Sequence, residues 1–285
     1  RDSRTEAELV NEAVETAAKA DIVLLAVGEM AEMSGESSSR TRIDIPAVQR
    51  RLIKAIKNTG KPVVLVLFTG RPLVLTDEAQ LADAILNVWF PGSEAGYAIA
   101  DVLSGKINPS GKLPMSFPRN VGQVPVYYNH KNTGRPEPKE GSHMKFRSVY
   151  LDEVNSPLYP FGYGLSYTTF AYGDLKLNSE KLSGNSKLNV SVDLTNTGKY
   201  DGAEIVQLYI RDKVGTITRP VKELKDFQKV FLKAGESKTV TFEVTTDDLK
   251  FYNSDLHYDW ESGDFTIGIG SNSRDVQTKD IIWNK

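Results

Sequence analysis

"DIVLLAVGEMAEMSGESSSRTRIDIPAVQRRLIKAIKNTGKPVVLVLFTG", residues 21–70, sets two continuous apolar runs on either side of an amphipathic segment. Residues 21–28 and 62–70 are short and rich in valine and leucine, as expected of strands covered on both faces. Between them Pro46 suits the first turn of a helix, and Val48, Leu52, Ala55 and Ile56 recur as one stripe. "KNTG" followed by Pro62 then supplies a lysine, a left-handed glycine and a stop.

Working outward, the alternation of strand and helix continues. Helical spacing runs from Thr5 to about Ala20, ahead of the first strand. "TDEAQLADA" reads as a short helix and "AILNVWF" at 84–90 as a third apolar strand. Ser93 can cap a further helix through "EAGYAIADVLSG", whose stripe is Ala95, Ile99, Val102 and Leu103. The first part of the chain is therefore expected to be an α/β three-layer sandwich with a largely parallel sheet, right-handed crossovers and ligands at the carboxyl ends of the strands.

From Tyr172 the period becomes two. Leu188, Val190, Val192 and Leu194 alternate with polar partners, as do "IVQLYIRD", then Val240, Phe242 and Val244, then Phe265, Ile267 and Ile269. With "NTG", "KAGES", "ESGD" and "GSNSR" as turns, this predicts an all-β sandwich of fibronectin type III-like, immunoglobulin-like kind, and the lack of a cysteine pair favours the fibronectin version. No row of exposed aromatics can be read in it. The expected division is an α/β domain over 1–135, an ordered linker over 136–171 packed by its own rings, and the fibronectin-like domain over 172–285.

Composition narrows the chemistry. Of 285 residues, 35 are basic and 37 acidic, for a formal charge of -2 without one-signed blocks, so nucleic acid is not an expected partner. No apolar run reaches the ~18 residues of a membrane span, and "RDSRTEAELV" lacks a signal peptide's apolar centre. The absence of cysteine excludes thiolate metal sites and cysteine nucleophiles, and three scattered histidines at 130, 143 and 257 give little material for a metal site or a serine triad. Carboxylates are the expected chemists, and no metal or cofactor is expected.

Glycines 28 and 35 stand too far apart for a dinucleotide turn. Glu36 lies one short loop beyond the first strand, on the edge where α/β sheets bind ligands, with Glu29 and Glu32 as rival carboxylates that spacing does not rank. Arg40 is a candidate orienting ion pair for Glu36. Trp89 and Phe90, at the end of the third strand, suit either stacking on a sugar or packing between domains. His130 and Arg135 suit either locking a loop or contacting a ligand. The helix start near 92–97 suits an anion or a plain cap.

Longer segments carry a resemblance. "GESSSRTRIDIPAVQRRLI", "GKPVVLVLFTGRPL", "AILNVWFPGSEAGYAIADVLSGKINPSGKLPMSFPRNVGQVPVYYNH", "YPFGYGLSYTTF" and "TRPVKELKDFQKVFLKAGESKTVTF" resemble the C-terminal part of family 3 glycoside hydrolases, in particular periplasmic bacterial β-glucosidases. The resemblance runs through essentially the whole chain. It implies that Glu36, in "GESSSR", is the general acid/base of a retaining β-glycosidase, with Arg40 fixing the loop or the carboxylate. It also implies that the nucleophile belongs to an N-terminal barrel domain not contained in this chain, so that the chain is a portion of a longer enzyme and inactive alone. Glu36 is then expected to be solvated and mobile here. Implied too are an oligosaccharide or β-glucoside substrate and a periplasmic or secreted location. The competing expectations are a non-catalytic carbohydrate-binding module and a scaffolding module that self-associates as a homo-oligomer.

Overall fold

The computed structural model describes residues 3–285; Arg1 and Asp2, which open the stretch read for a signal peptide, lie outside the described residues. Internal contacts divide the chain into two compact units. One comprises the described residues through Ala100 with Phe117–Pro125, the other Asp101–Ser116 with Val126–Lys285.

The first unit opens on a capping box. The Glu8 backbone N–H donates to Thr5 Oγ1 at 3.3 Å and the Glu8 carboxylate accepts from the Thr5 backbone at 2.7 Å, which starts α1 (Glu6–Ala18). Then follow β1 (Val23–Gly28), α2 (Ala47–Lys57), β2 (Val63–Phe68), α3 (Thr76–Leu81), β3 (Ala84–Asn87) and α4 (Ala95–Leu103). The strands form a parallel sheet in the order β1-β2-β3, in register from Val23↔Val63 to Gly28↔Phe68. Val63, Leu65 and Leu67 of β2 are fully buried, as are Ile53 and Ile56 of α2; of the stripe read from the sequence only Ile56 is buried, Leu52 and Ala55 are half-buried and Val48 is exposed, so the inward face is turned toward Ile53, and Gly60 at φ 77° marks the helix end.

Two strand readings need correction. Burial in β1 alternates: Val27 is buried whereas Leu24 is 54% exposed and Ala26 is exposed, so this strand is not covered on both faces. The third strand stops at Asn87, because Trp89 adopts a φ of 54° that an extended chain cannot continue through. At that end, both polar atoms of the Asn87 amide are buried without a hydrogen-bond partner. Such a group costs about 1–3 kcal/mol. Asn87→Leu is therefore expected to raise the denaturant midpoint of this chain by about 1 kcal/mol of stability with an unchanged slope; a lowered midpoint would contradict the assignment.

The second unit is strand-built: β4 (Phe170–Tyr172), β5 (Lys176–Leu177), β6 (Lys181–Ser183), β7 (Leu188–Asn196), β8 (Gly202–Asp212), β9 (Glu223–Leu232), β10 (Ser237–Val244), β11 (Phe251–Tyr252), β12 (Tyr258–Asp259), β13 (Gly263–Gly270) and β14 (Val276–Asn284). One sheet runs β6-β14-β13-β8-β9. The other runs β10-β7-β4, with β5 also on β7, and β11 pairs with β12. Between the two larger sheets the inward residues of β7 (Leu188, Val190, Val192, Leu194) join Ile267, Ile269, Val240, Phe242 and Trp283 in one core. The Trp283 indole donates to the Gly184 carbonyl at 3.0 Å, satisfying the polar edge of a fully buried ring. Exposed aromatics do occur here, which the sequence did not disclose: Phe227 and Phe231 on β9, and Tyr252 with Tyr258, whose rings lie 5.0 Å apart.

Residues 101–116 belong to this unit through specific bonds. Leu113 and the 162–163 turn exchange two backbone hydrogen bonds of 2.8 Å, and the Asn108 amide donates to the Asp201 carbonyl. Lys112 Nζ lies 2.9 Å from Glu204 Oε1 and donates to the Gly164 carbonyl. Tyr172 donates its hydroxyl to the same carboxylate; burial, then the charge on Glu204, pushes that phenol well above its usual pKa. The connecting rings pack among themselves, Tyr128 on Phe161 at 4.2 Å and Tyr159 on Tyr163 at 5.3 Å.

Candidate active site

The loops that follow β1 and β2 gather at the carboxyl edge of the sheet. β1 ends on Gly28 at φ 124°, where a side-chain carbon would stand 1.9 Å from the Phe68 carbonyl oxygen, so only glycine lets the two strands stay paired there. Gln49, from the start of α2, accepts from the Gly28 N–H at 2.7 Å and donates to its carbonyl at 3.1 Å, fixing the exit of the strand.

Glu29 comes next, with its carboxylate fully buried. Oε1 accepts from Arg40 at 2.6 Å and lies 3.0 Å from Arg71 Nε; Oε2 accepts from the Gly70 N–H at 3.1 Å and lies 3.0 Å from the Thr69 hydroxyl. Burial opposes the charge. The hydrogen bonds from Arg40, Gly70 and Thr69, with the charge of Arg71, outweigh it and hold the carboxyl below the ordinary glutamate value of 4.5. A depressed carboxylate stabilises the fold fully above 4.5 and loses that contribution as pH falls through its lowered value. Glu29→Gln is thus expected to cost about 2 kcal/mol at neutral pH, and the deficit should shrink on the acid side. A pH-independent deficit in denaturation curves would overturn it.

Beyond a single 3-10 turn over Ala31–Met33 the chain reaches Gly35 at φ 120°, Glu36, and Ser37 at φ 59°. Glu36 is exposed, as is Glu32. The loop is held from outside: Arg71 Nη2 donates to the carbonyls of Met33 at 2.6 Å and Ser38 at 2.8 Å, one on each side of Glu36. Arg40 does not pair with Glu36. Its guanidinium bonds Glu29 and the Asp44 carbonyl, so any influence on Glu36 runs through the loop. Gly70 gives the loop room, since a carbon added there would meet the Ser34 hydroxyl at 1.9 Å and the Phe90 ring at 2.9 Å. Phe90 is half exposed, whereas the Trp89 ring packs on Phe117 at 5.9 Å.

The other candidates fall elsewhere. His130 and Arg135 belong to the second unit, where their backbone carbonyls accept from Val221 and Ser148 at 2.9 Å. A cavity of about 320 Å³ in that unit is lined by Arg211, Lys213 and Arg219, but Lys213 is paired with Asp280, and Arg219 with Asp212 and Glu223. Among the described residues no helix is long and apolar enough to cross a membrane, and no group of three or more histidine or acidic side chains is placed to hold a metal. Sequence reasoning missed Arg71 and left Glu29 as an unranked rival. The signal available was their place, each just past the end of a strand.

Residues 3–167 match the Glycosyl hydrolase family 3 C-terminal domain, and residues 204–273 match the Fibronectin type III-like domain. The chain is 54% identical over 97% of its length to the "Periplasmic beta-glucosidase" of Salmonella typhimurium, and 44% identical over 95% to a "Beta-xylosidase" of Formosa agariphila. It spans 36% of the length of each. The beta-glucosidase from Listeria innocua in complex with isofagomine superposes with a TM-score of 0.94 at 44% identity, over 99% of this chain and 39% of that one. A second Listeria innocua structure, in complex with laminaribiose, gives 0.90 at 45%, over 96% of this chain and 38% of that one. The chain belongs to glycosyl hydrolase family 3, as its C-terminal α/β sandwich followed by a fibronectin type III-like domain.

Proposed function

We propose that this chain is the acid/base-bearing portion of a retaining β-glucosidase and that Glu36 is the proton donor. The observation that carries the reading is the placement of Glu36: an exposed carboxylate between two left-handed residues, on a loop held at both ends at the carboxyl edge of a parallel sheet. A retaining glycosidase needs two carboxyl groups about 5–5.5 Å apart, one attacking the anomeric carbon and the other protonating the departing oxygen and then deprotonating water. Glu36 takes the second role. The first falls to a barrel domain in the remainder of a longer protein, consistent with relatives about three times the length of this stretch.

The substrate in this reading is a terminal β-D-glucoside of a short oligosaccharide. The names and bound sugars of the relatives support it, and the name of the Salmonella relative supports a periplasmic or secreted setting. Arg40 ties the end of the loop to Glu29. The test is leaving-group dependence in the full-length protein. Glu36→Gln should depress kcat/KM, which reports the bond-breaking first step, far more for alkyl glucosides and cellobiose than for a dinitrophenyl glucoside, whose departing phenolate needs no proton. Equal depression of both would reject the assignment, and parallel assays on xylosides separate glucosidase from xylosidase selectivity.

A further inference from the structure

We propose that Arg71 and Glu29 are positioning residues for Glu36, Glu29 orienting the guanidinium of Arg71 so that its far nitrogen clamps the loop carbonyls on both sides of Glu36. The proposal rests on the reading of Glu36 as the proton donor. Between the 3-10 turn and Arg40 the loop has almost no bonding of its own among the described residues: Ser38 N–H donates to the Gly35 carbonyl at 3.3 Å, and the Ser38 hydroxyl lies near the Glu32 and Glu36 carbonyls at 3.4 and 3.3 Å. These are long bonds. The short ones, 2.6 and 2.8 Å, come from Arg71.

The clamp is itself fixed. Arg71 is only 22% exposed, Glu29 is fully buried, and the Glu29 carboxylate is further held by Gly70 and Thr69, so its orientation is set by the β2 end and not by the loop it controls. The guanidinium is held at Glu29 by charge, with Nε 3.0 Å from Oε1 in an ion pair too poorly aligned to be a hydrogen bond, while Nη2 reaches two carbonyls. A lysine, with a single ammonium on a flexible stem, cannot hold a carboxylate and two divergent carbonyls in that plane. Arg40, bonded to the same oxygen of Glu29, closes the loop at its other end. A donor displaced by about 1 Å costs on the order of 10²-fold in rate, so the clamp bears directly on chemistry.

The experiment uses Arg71→Lys, with Glu29→Gln as a second variant that keeps the shape but sets an amide NH2 against groups that donate to the carboxylate. In this chain, NMR order parameters of the backbone N–H groups over residues 34–39 should fall below about 0.6 in both variants, with those of β2 unchanged near about 0.85. In the full-length protein, kcat on cellobiose should fall about 10–100-fold with KM within about threefold, and turnover of dinitrophenyl glucoside should be restored by azide, which attacks a glycosyl-enzyme without help from a base. A merely structural role predicts loss of activity that azide leaves untouched. Unchanged order parameters over 34–39, or a loss insensitive to azide, overturns the proposal. If the order parameters fall and azide has no effect on Glu36→Ala either, the donor assignment fails instead, and the two failures are told apart.

Discussion

Glu36→Ala in the full-length protein is expected to lower kcat on cellobiose by about 10²–10⁴-fold, the span attributed to a positioned acid/base. The departing sugar hydroxyl is a poor leaving group as an alkoxide, so bond cleavage without a donor carries nearly the whole barrier. A dinitrophenolate leaves unaided, which confines the defect on that substrate to the second, water-dependent step. Two further consequences follow. The alkaline limb of the pH profile, along which a retaining glycosidase loses its donor's proton, should flatten in the variant. Stability should stay within about 0.5 kcal/mol, because Glu36 is exposed and none of the described residues holds its carboxylate by a hydrogen bond. Wild-type turnover on cellobiose would refute the role, and a collapse of thermal stability would mean that the rate loss reports unfolding.

The second large effect is in the fibronectin-like unit. Lys112→Met should destabilise it by about 3–5 kcal/mol, because the Glu204 carboxylate, 6% exposed, would keep its charge in the interior without its cation. The tyrosine hydroxyl at 3.4 Å is too distant to replace an ammonium at 2.9 Å. Adding Glu204→Leu to Lys112→Met should recover most of the loss, since a packed apolar pair is often as stable as a buried ion pair. Urea titrations of the two variants check both halves. If the double variant is no better than the single one, the damage lies in lost packing of the lysine stem and the unpaired charge is not its cause.

How much was visible beforehand differs by element. The 21–70 crossover was legible because strand, stripe and stop signals are local, and β7 was legible because Leu188, Val190, Val192 and Leu194 alternate strictly. β9 and β14 escaped. "ELKDFQKVFL" puts Phe227 and Phe231 on the exposed side of the strand, and "VQTKDIIWN" begins with a polar run, so neither shows a clean period of two. Leu24 misled in the opposite direction, since an apolar residue at a strand position does not reveal whether anything lies over it. At the site, Glu36 was singled out by place and resemblance. The cluster around Glu29 that takes up Arg40 was hidden, because Arg71 and Gly70 meet Glu29 from about 40 residues away in sequence, and only the pairing of β1 with β2 brings them together.

The way residues 101–116 and 117–125 are dealt out has an evolutionary side. The chain changes allegiance three times, so neither half is a contiguous cassette that recombination could lift out and splice elsewhere. A fibronectin-like half beginning after Pro125 would arrive without Lys112 and the Asn108 amide that belong to it. Inheritance of the two halves as an indivisible pair is the outcome that such interleaving enforces.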